Sequence, residues 1–229
     1  TERTPRVTYL YAFALHRTDQ SRAALRVLSD VARKREEGAF YDDITRLLAR
    51  VNMDLGRWSR ADEVLREYLP LHSGDPSVYV DLIRVSFSMK NWEQTVQWAE
   101  TLEERVENLE TAYPEIYFET SYLRGLSYLG MKRYRNGAEN LESLIEGGYF
   151  DNGEGDIGPH LLFFAGWARY KLAEYGRSIS HFSSLIDRYP EHSRTSEGRY
   201  LLGWASFADG QYAKAEEAFA EYARFAGER

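Results

Sequence analysis

The chain has 229 residues, a formal net charge of −7 and no cysteine. Lack of cysteine excludes disulfides, thiolate metal sites and a cysteine nucleophile. The acidic balance argues against a nucleic-acid partner, whose phosphates demand a basic surface. Apolar residues make up 43% and aromatic residues 14%, enough for a large core. No apolar run reaches the ~18 residues that a membrane-spanning helix needs.

In chain order, Thr4-Pro5 reads as a helix start, with proline in the first turn. Tyr9, Ala12, Phe13 and His16 share a face of that helix, and Thr18-Asp19-Gln20 breaks it. A second helix follows through Ala24, Leu28 and Val31. A second pair runs from Tyr41 to Leu55, turns at Gly56-Arg57-Trp58, and continues through Ala61, Leu65 and Tyr68. The third runs from Ser77 to Met89 and turns at Lys90-Asn91-Trp92. Its second helix is expected to be long, since Val96, Ala99, Leu102, Val106 and Leu109 keep one face apolar as far as Tyr113-Pro114. The fourth pair starts at Glu115 and turns between Gly130 and Arg133. A polar loop then spans Glu146 to Gly158. The fifth pair is Pro159 to Leu172 with Tyr175 to Arg188, and the sixth is Thr195 to Asp209 with Gln211 to Phe225.

Two phrases inside this series repeat. Tyr175, Ser178, Phe182 and Leu185 have the same offsets as Tyr212, Ala215, Phe219 and Tyr222. Offsets of three and four place each set on one helical face. Small residues recur at Ala24, Ala61, Thr95, Gly137, Ser178 and Ala215, at gaps of 34 to 42 residues. Gly203 and Ala215 fit a close approach of two helices, and Gly210 fits a sharp turn that needs positive φ.

Gly203, Gly210, Tyr212, Ala215 and Phe219, with Gly166, Tyr175, Phe182 and Pro190 one repeat earlier, resemble the tetratricopeptide repeat signature. The resemblance implies an all-α, right-handed α-solenoid of about six antiparallel helix pairs. It implies a single domain over residues 1–229, with an atypical N-terminal repeat at about 5–36. The run from Phe182 through Pro190 to Gly203 looks more specifically like bacterial envelope members of the BamD and cell-division-coordinator type. That likeness implies a scaffold in an envelope assembly or cell-wall complex, periplasmic and lipid-anchored in its full-length form. The alternatives are a cytoplasmic or transport-associated adaptor, or a regulatory domain of a larger protein. The chain begins with Thr1 rather than Met, which suits an upstream segment having been removed.

Catalytic signatures are missing from the sequence. No two of the five histidines stand three or four apart, and there is no HExxH motif, phosphate loop or GxSxG elbow. Asp151, Glu154 and Asp156 could suggest calcium, but glycines occupy two of the alternate ligand positions of an EF-hand. The chain is therefore expected to be no enzyme and to carry no cofactor or metal. Its expected partner is a protein or peptide.

In the repeat family the first helix of each pair lines the concave side. Carried over by slot, the groove residues are Arg46 and Arg50, then Arg84 and Phe87, then Tyr122. The last two repeats give Phe163, Trp167 and Tyr170, then Tyr200, Trp204 and Phe207. The Lys and Asn of the family's carboxylate clamps are largely missing. Two readings of the aromatic series stay open: an apolar groove for a partner segment, or a groove filled by its own side chains. Trp167 and Trp204 occupy equivalent slots and should point the same way.

Overall fold

The computed structural model describes residues 4–34, 40–149 and 157–227. They form thirteen α-helices and one short 3-10 turn, and no strand occurs among the described residues. Contacts group the chain into two compact units, Thr1–Ile116 and Tyr117–Arg229.

The first unit holds α1 (Pro5–Arg17), α2 (Ser21–Lys34), α3 (Tyr41–Asp54), α4 (Trp58–Tyr68), α5 (Pro76–Ser88), α6 (Trp92–Arg105) and α7 (Leu109–Ala112). Two of the helix starts are specified in the same way. Thr4 and Asp75 are N-caps with extended backbone, each followed by proline at the first helical position. Their side-chain oxygens accept from the amides of Val7 at 3.4 Å and Ser77 at 2.9 Å, removing an orphan donor from each first turn. The core runs through Ala12, Leu28, Ile44, Leu47, Val51, Ala61, Leu65, Val78, Leu82 and Val85, all buried.

Across Ile116 and into the second unit, the helices are α8 (Pro114–Gly130), α9 (Tyr134–Glu146), α10 (Ile157–Lys171), α11 (Tyr175–Arg188), α12 (Ser193–Ala208) and α13 (Tyr212–Gly227). Two apolar clusters fill the second unit, around Leu141, Leu144 and Leu161 and around Phe182, Leu185 and Ala205.

All six small slots are buried: Ala24, Ala61, Thr95, Gly137, Ser178 and Ala215. Where the slot is polar it is satisfied. Ser178 Oγ donates to the carbonyl of Gly166 at 2.9 Å, and Thr95 Oγ1 donates to that of Asn91 at 3.0 Å. Gly203 is required by space: a Cβ there would lie 2.6–2.8 Å from three ring atoms of Phe219.

Six helix pairs turn in the same way. One residue in each turn takes the left-handed conformation: Asp19, Gly56, Lys90, Lys132, Ala173 and Gly210. The next residue's amide donates to a carbonyl five residues back at 2.8–3.0 Å, as in Gln20 to Leu15 and Gln211 to Ser206. This is the Schellman arrangement, which satisfies the last carbonyls of the first helix. The first pair lacks a turn glycine yet adopts the same turn through Asp19.

One expectation is corrected. The second helix of the third pair does not run on to Tyr113. It ends at Arg105, Val106 is extended, and Asn108 is left-handed at φ 56°. Prolonging the helix would have carried an apolar stripe and several glutamates away from any neighbour. Breaking it turns Leu109 back into the core, where it is 4% exposed. The loop residues Asp151, Glu154 and Asp156 lie outside the described residues.

Candidate functional site

The slot residues form two groups of different character. On α3 and α5 the group is charged. Arg46 Nη1 lies 3.1 Å from Asp75, and its other terminal nitrogen donates to Ser77 Oγ. Arg50 and Arg84 flank Asp81 at 3.6 and 3.5 Å. Asp81 is itself 2% exposed. Burial pushes its carboxyl pKa above the ordinary value, against the pull of Arg50, Arg84 and Arg46. These arginines, expected in a groove facing a partner, each face a carboxylate of the chain itself, while the side chains of Arg50 and Arg84 stay about half exposed. Phe87 packs edge-on against Trp92 at 5.3 Å.

On α8, α10 and α12 the group is aromatic. Tyr122 stacks with Phe118 at 6.3 Å and is half-buried, and burial raises its hydroxyl pKa. Phe163 is buried beneath the guanidinium of Arg194, 4.9 Å from its ring, and packs edge-on against Phe182. Trp167 is half-buried, with Tyr134 edge-on at 5.4 Å and Lys171 Nζ 5.5 Å from its ring. Tyr170 is half-buried against Tyr175.

The last three behave otherwise. Tyr200 is 40% exposed, Trp204 41% and Phe207 53%. They join edge to edge, Tyr200 to Trp204 at 6.2 Å and Trp204 to Phe207 at 6.1 Å. Tyr212, 65% exposed and 5.5 Å from Phe207, extends the patch onto α13. Phe219 supports it from below, 5.7 Å from Trp204. A contiguous exposed aromatic patch on one helix pair is the kind of surface that marks an interaction site. The slot carry-over names three of its four rings. It omits Tyr212, which was assigned to the turn signature.

The sequence reading missed a buried ion network that ties α9, α10 and α11 together. Arg169 is 1% exposed. Its Nε donates to Glu142 Oε1 at 2.8 Å, and a second nitrogen reaches Glu142 Oε2. Its Nη1 donates to Glu174 at 2.6 Å. His181 Nε2 lies 2.8 Å from Glu142. Burial alone would raise the Glu142 pKa, but the hydrogen bonds from Arg169 and His181 bring it down to about 2. Glu142 and Arg169 stand 27 residues apart, so no local pattern announces the pair. Among the described residues no three His, Cys, Asp or Glu side chains converge to hold a metal ion. Nor is any helix among them long and apolar enough to cross a membrane.

The molecule is thus built from antiparallel helix hairpins joined by one recurrent turn, an α-solenoid by class. Residues 165–228 match the tetratricopeptide repeat family, so this stretch carries tetratricopeptide repeats. Solved structures of the same fold extend the likeness over the rest of the chain. A tetratricopeptide repeat protein from Parabacteroides merdae is 16% identical with a TM-score of 0.69, over 95% of this chain and 78% of that one. YrrB, described as a tetratricopeptide repeat protein with an unusual peptide-binding site, is 15% identical with a TM-score of 0.65, over 85% and 90%. PilW, a type IV pilus biogenesis factor, is 12% identical with a TM-score of 0.62, over 96% and 93%. None of the curated proteins compared matches the sequence.

Proposed function

We propose that this protein is a non-catalytic scaffold that binds an apolar segment of a partner protein on the aromatic patch of α12 and α13. One observation carries the reading: Tyr200, Trp204, Phe207 and Tyr212 form a continuous patch of rings between 40% and 65% exposed. Rigid aromatic side chains lose little entropy on docking and make effective anchors. The peptide-binding description of YrrB, which shares the fold, supports a peptide as occupant. The formal charge of −7 favours protein over nucleic acid. The setting we propose is a bacterial envelope or cell-wall assembly, with the protein in the periplasm. The fold shared with a pilus biogenesis factor is in keeping with that setting.

The test compares Trp204→Ala with Trp167→Ala. Truncating an anchor costs about 2 kcal/mol or more of binding, roughly thirtyfold in affinity. Trp204→Ala should lose captured partners at a nearly unchanged melting temperature. Trp167→Ala should instead lower the melting temperature, at a cost of order 3 kcal/mol. Retention of every partner by Trp204→Ala would refute the docking face.

A further inference from the structure

We propose a second binding site within the first unit: the cleft between α2 and α4 takes up an acidic peptide segment, its carboxylates on Arg22, Arg26 and Arg57. Both helices pack on α3. Between them lie two adjoining hollows of about 540 and 610 Å³ that share Leu25, Ser29 and Arg57. Leu25, Leu48 and Val64 give the cleft an apolar wall. Arg22, Arg26, Arg57 and Arg60 line it as cations, and Asp30 and Glu67 as carboxylates.

The placement of the arginines is electrostatically costly. Arg22 and Arg26 are one turn apart on α2 and repel each other. Arg22 sits in the first turn of α2 and Arg57 caps α4, the helix ends where the dipole disfavours cations. Neither first turn contains an acidic residue. Arg60 is matched by Glu63 at 2.5 Å. Among the described residues, Arg22, Arg26 and Arg57 take part in no ion pair or side-chain hydrogen bond. Arg105 and Arg224 also stand apart from carboxylates among the described residues, but singly; here three such arginines line one cleft. The corresponding hollow between α9 and α11 is about 230 Å³, is lined by Glu142 and Glu146, and its one arginine, Arg177, already faces Glu174.

A second feature says what kind of anion fits. Asn52 lines the cleft and is 1% exposed. Its Nδ2 donates to the carbonyl of Leu48 at 2.7 Å, while its Oδ1 has no hydrogen-bond partner among the described residues. An unmet buried acceptor calls for a donor. A peptide supplies one from its main-chain N–H groups beside its carboxylates. Hydrogen phosphate could offer its P–OH to Asn52 but brings no apolar group for the Leu48 wall. Carboxylates for the arginines, an amide for Asn52 and an apolar side chain for the Leu48 wall together describe an acidic peptide.

The experiment titrates the full chain into a fluorescein-labelled glutamate-rich peptide and reads anisotropy at low and at physiological salt. A lysine-rich peptide and inorganic phosphate serve as comparison ligands. Saturable binding that weakens with salt is expected for the glutamate peptide alone. Arg22→Glu, Arg26→Glu and Arg57→Glu combined should weaken it at least about tenfold. All three side chains are exposed, so the fold should be kept, with melting unchanged or slightly raised by acidic residues at the starts of α2 and α4. Arg105→Glu with Arg224→Glu, exposed cations elsewhere, should leave binding intact. Absence of saturable binding would overturn the proposal, as would an equal loss in the control variant. Full displacement by phosphate at matched ionic strength would also overturn it, reducing the cleft to a simple anion site.

Discussion

The fifth and sixth helix pairs are two readings of one repeat. Offset by 37 residues, Phe163, Trp167 and Tyr170 become Tyr200, Trp204 and Phe207, and Gly166 and Phe182 become Gly203 and Phe219. Their surroundings diverge. Over Phe163 lies α12, with the guanidinium of Arg194 on its ring. No described helix lies over Tyr200 in the same way. The second helices diverge too. Ile179 is buried and Ile186 is half-buried in the core of α11, whereas the same slots of α13 hold exposed Glu216 and Ala223. In the sixth pair α13 lacks the isoleucines of α11, while α12 carries aromatic residues in the slots of α10. An aromatic slot is therefore core or docking surface according to what covers it.

The sharpest way to break this comparison is to truncate the same slot in both pairs. Phe163→Ala should cost about 3–5 kcal/mol of stability, because it opens a cavity under α12. Tyr200→Ala should cost less, about 1 kcal/mol, since that residue is already 40% exposed. Urea denaturation followed by circular dichroism distinguishes them. Equal losses would mean that the two pairs are packed alike.

A second prediction uses the ion network of Glu142, Arg169 and His181, which ties the fifth pair to α9 of the fourth. Arg169 has Ser206 as its counterpart in the sixth. The Glu142 pKa falls from an ordinary 4.5 to about 2 in the folded protein. Its contribution is fully present above pH 4.5 and is lost as the pH falls toward 2. The fall in pKa corresponds to about 3.4 kcal/mol, and screening of the partly exposed carboxylate brings the full change to the order of 2–3 kcal/mol. Glu142→Gln should flatten stability against pH across that window. An unchanged acid profile in the variant would show that the carboxylate is not held by Arg169 and His181.

Much of this architecture is legible from residues alone, because the repeat writes each structural demand into a slot. Ala215, Gly203 and Phe219 announce a close helix contact, and that contact is found. What escapes depends on information a slot does not carry. The exposure of Trp204 is set by neighbouring elements rather than by tryptophan itself. The partnership of Arg169 with Glu142 joins different helices. The break at Val106 follows from burying Leu109, a tertiary gain that periodicity cannot weigh against a continuing apolar stripe. Glycine marks only two of the six left-handed turns, so Asp19, Lys90, Lys132 and Ala173 give no local warning.

Those turns supply the finest comparison. Ala173, at φ 56°, and Gly210, at φ 77°, do the same work in the fifth and sixth pairs. The amide after each donates to an equivalent carbonyl, Glu174 to Arg169 at 3.0 Å and Gln211 to Ser206 at 2.8 Å. A Cβ in the left-handed region crowds the following carbonyl, at a cost of roughly 1–2 kcal/mol that glycine avoids. Glycine's freer unfolded chain takes back part of that gain. Ala173→Gly should therefore stabilise the protein by about 0.5–1 kcal/mol, as cap improvements commonly do. Gly210→Ala should destabilise it by a similar amount, although a Cβ there meets nothing within 4 Å and the penalty is purely conformational. The two variants should shift the urea midpoint in opposite directions with the slope unchanged. A destabilised Ala173→Gly would mean that Ala173 is held by packing its methyl group rather than tolerated in a strained turn.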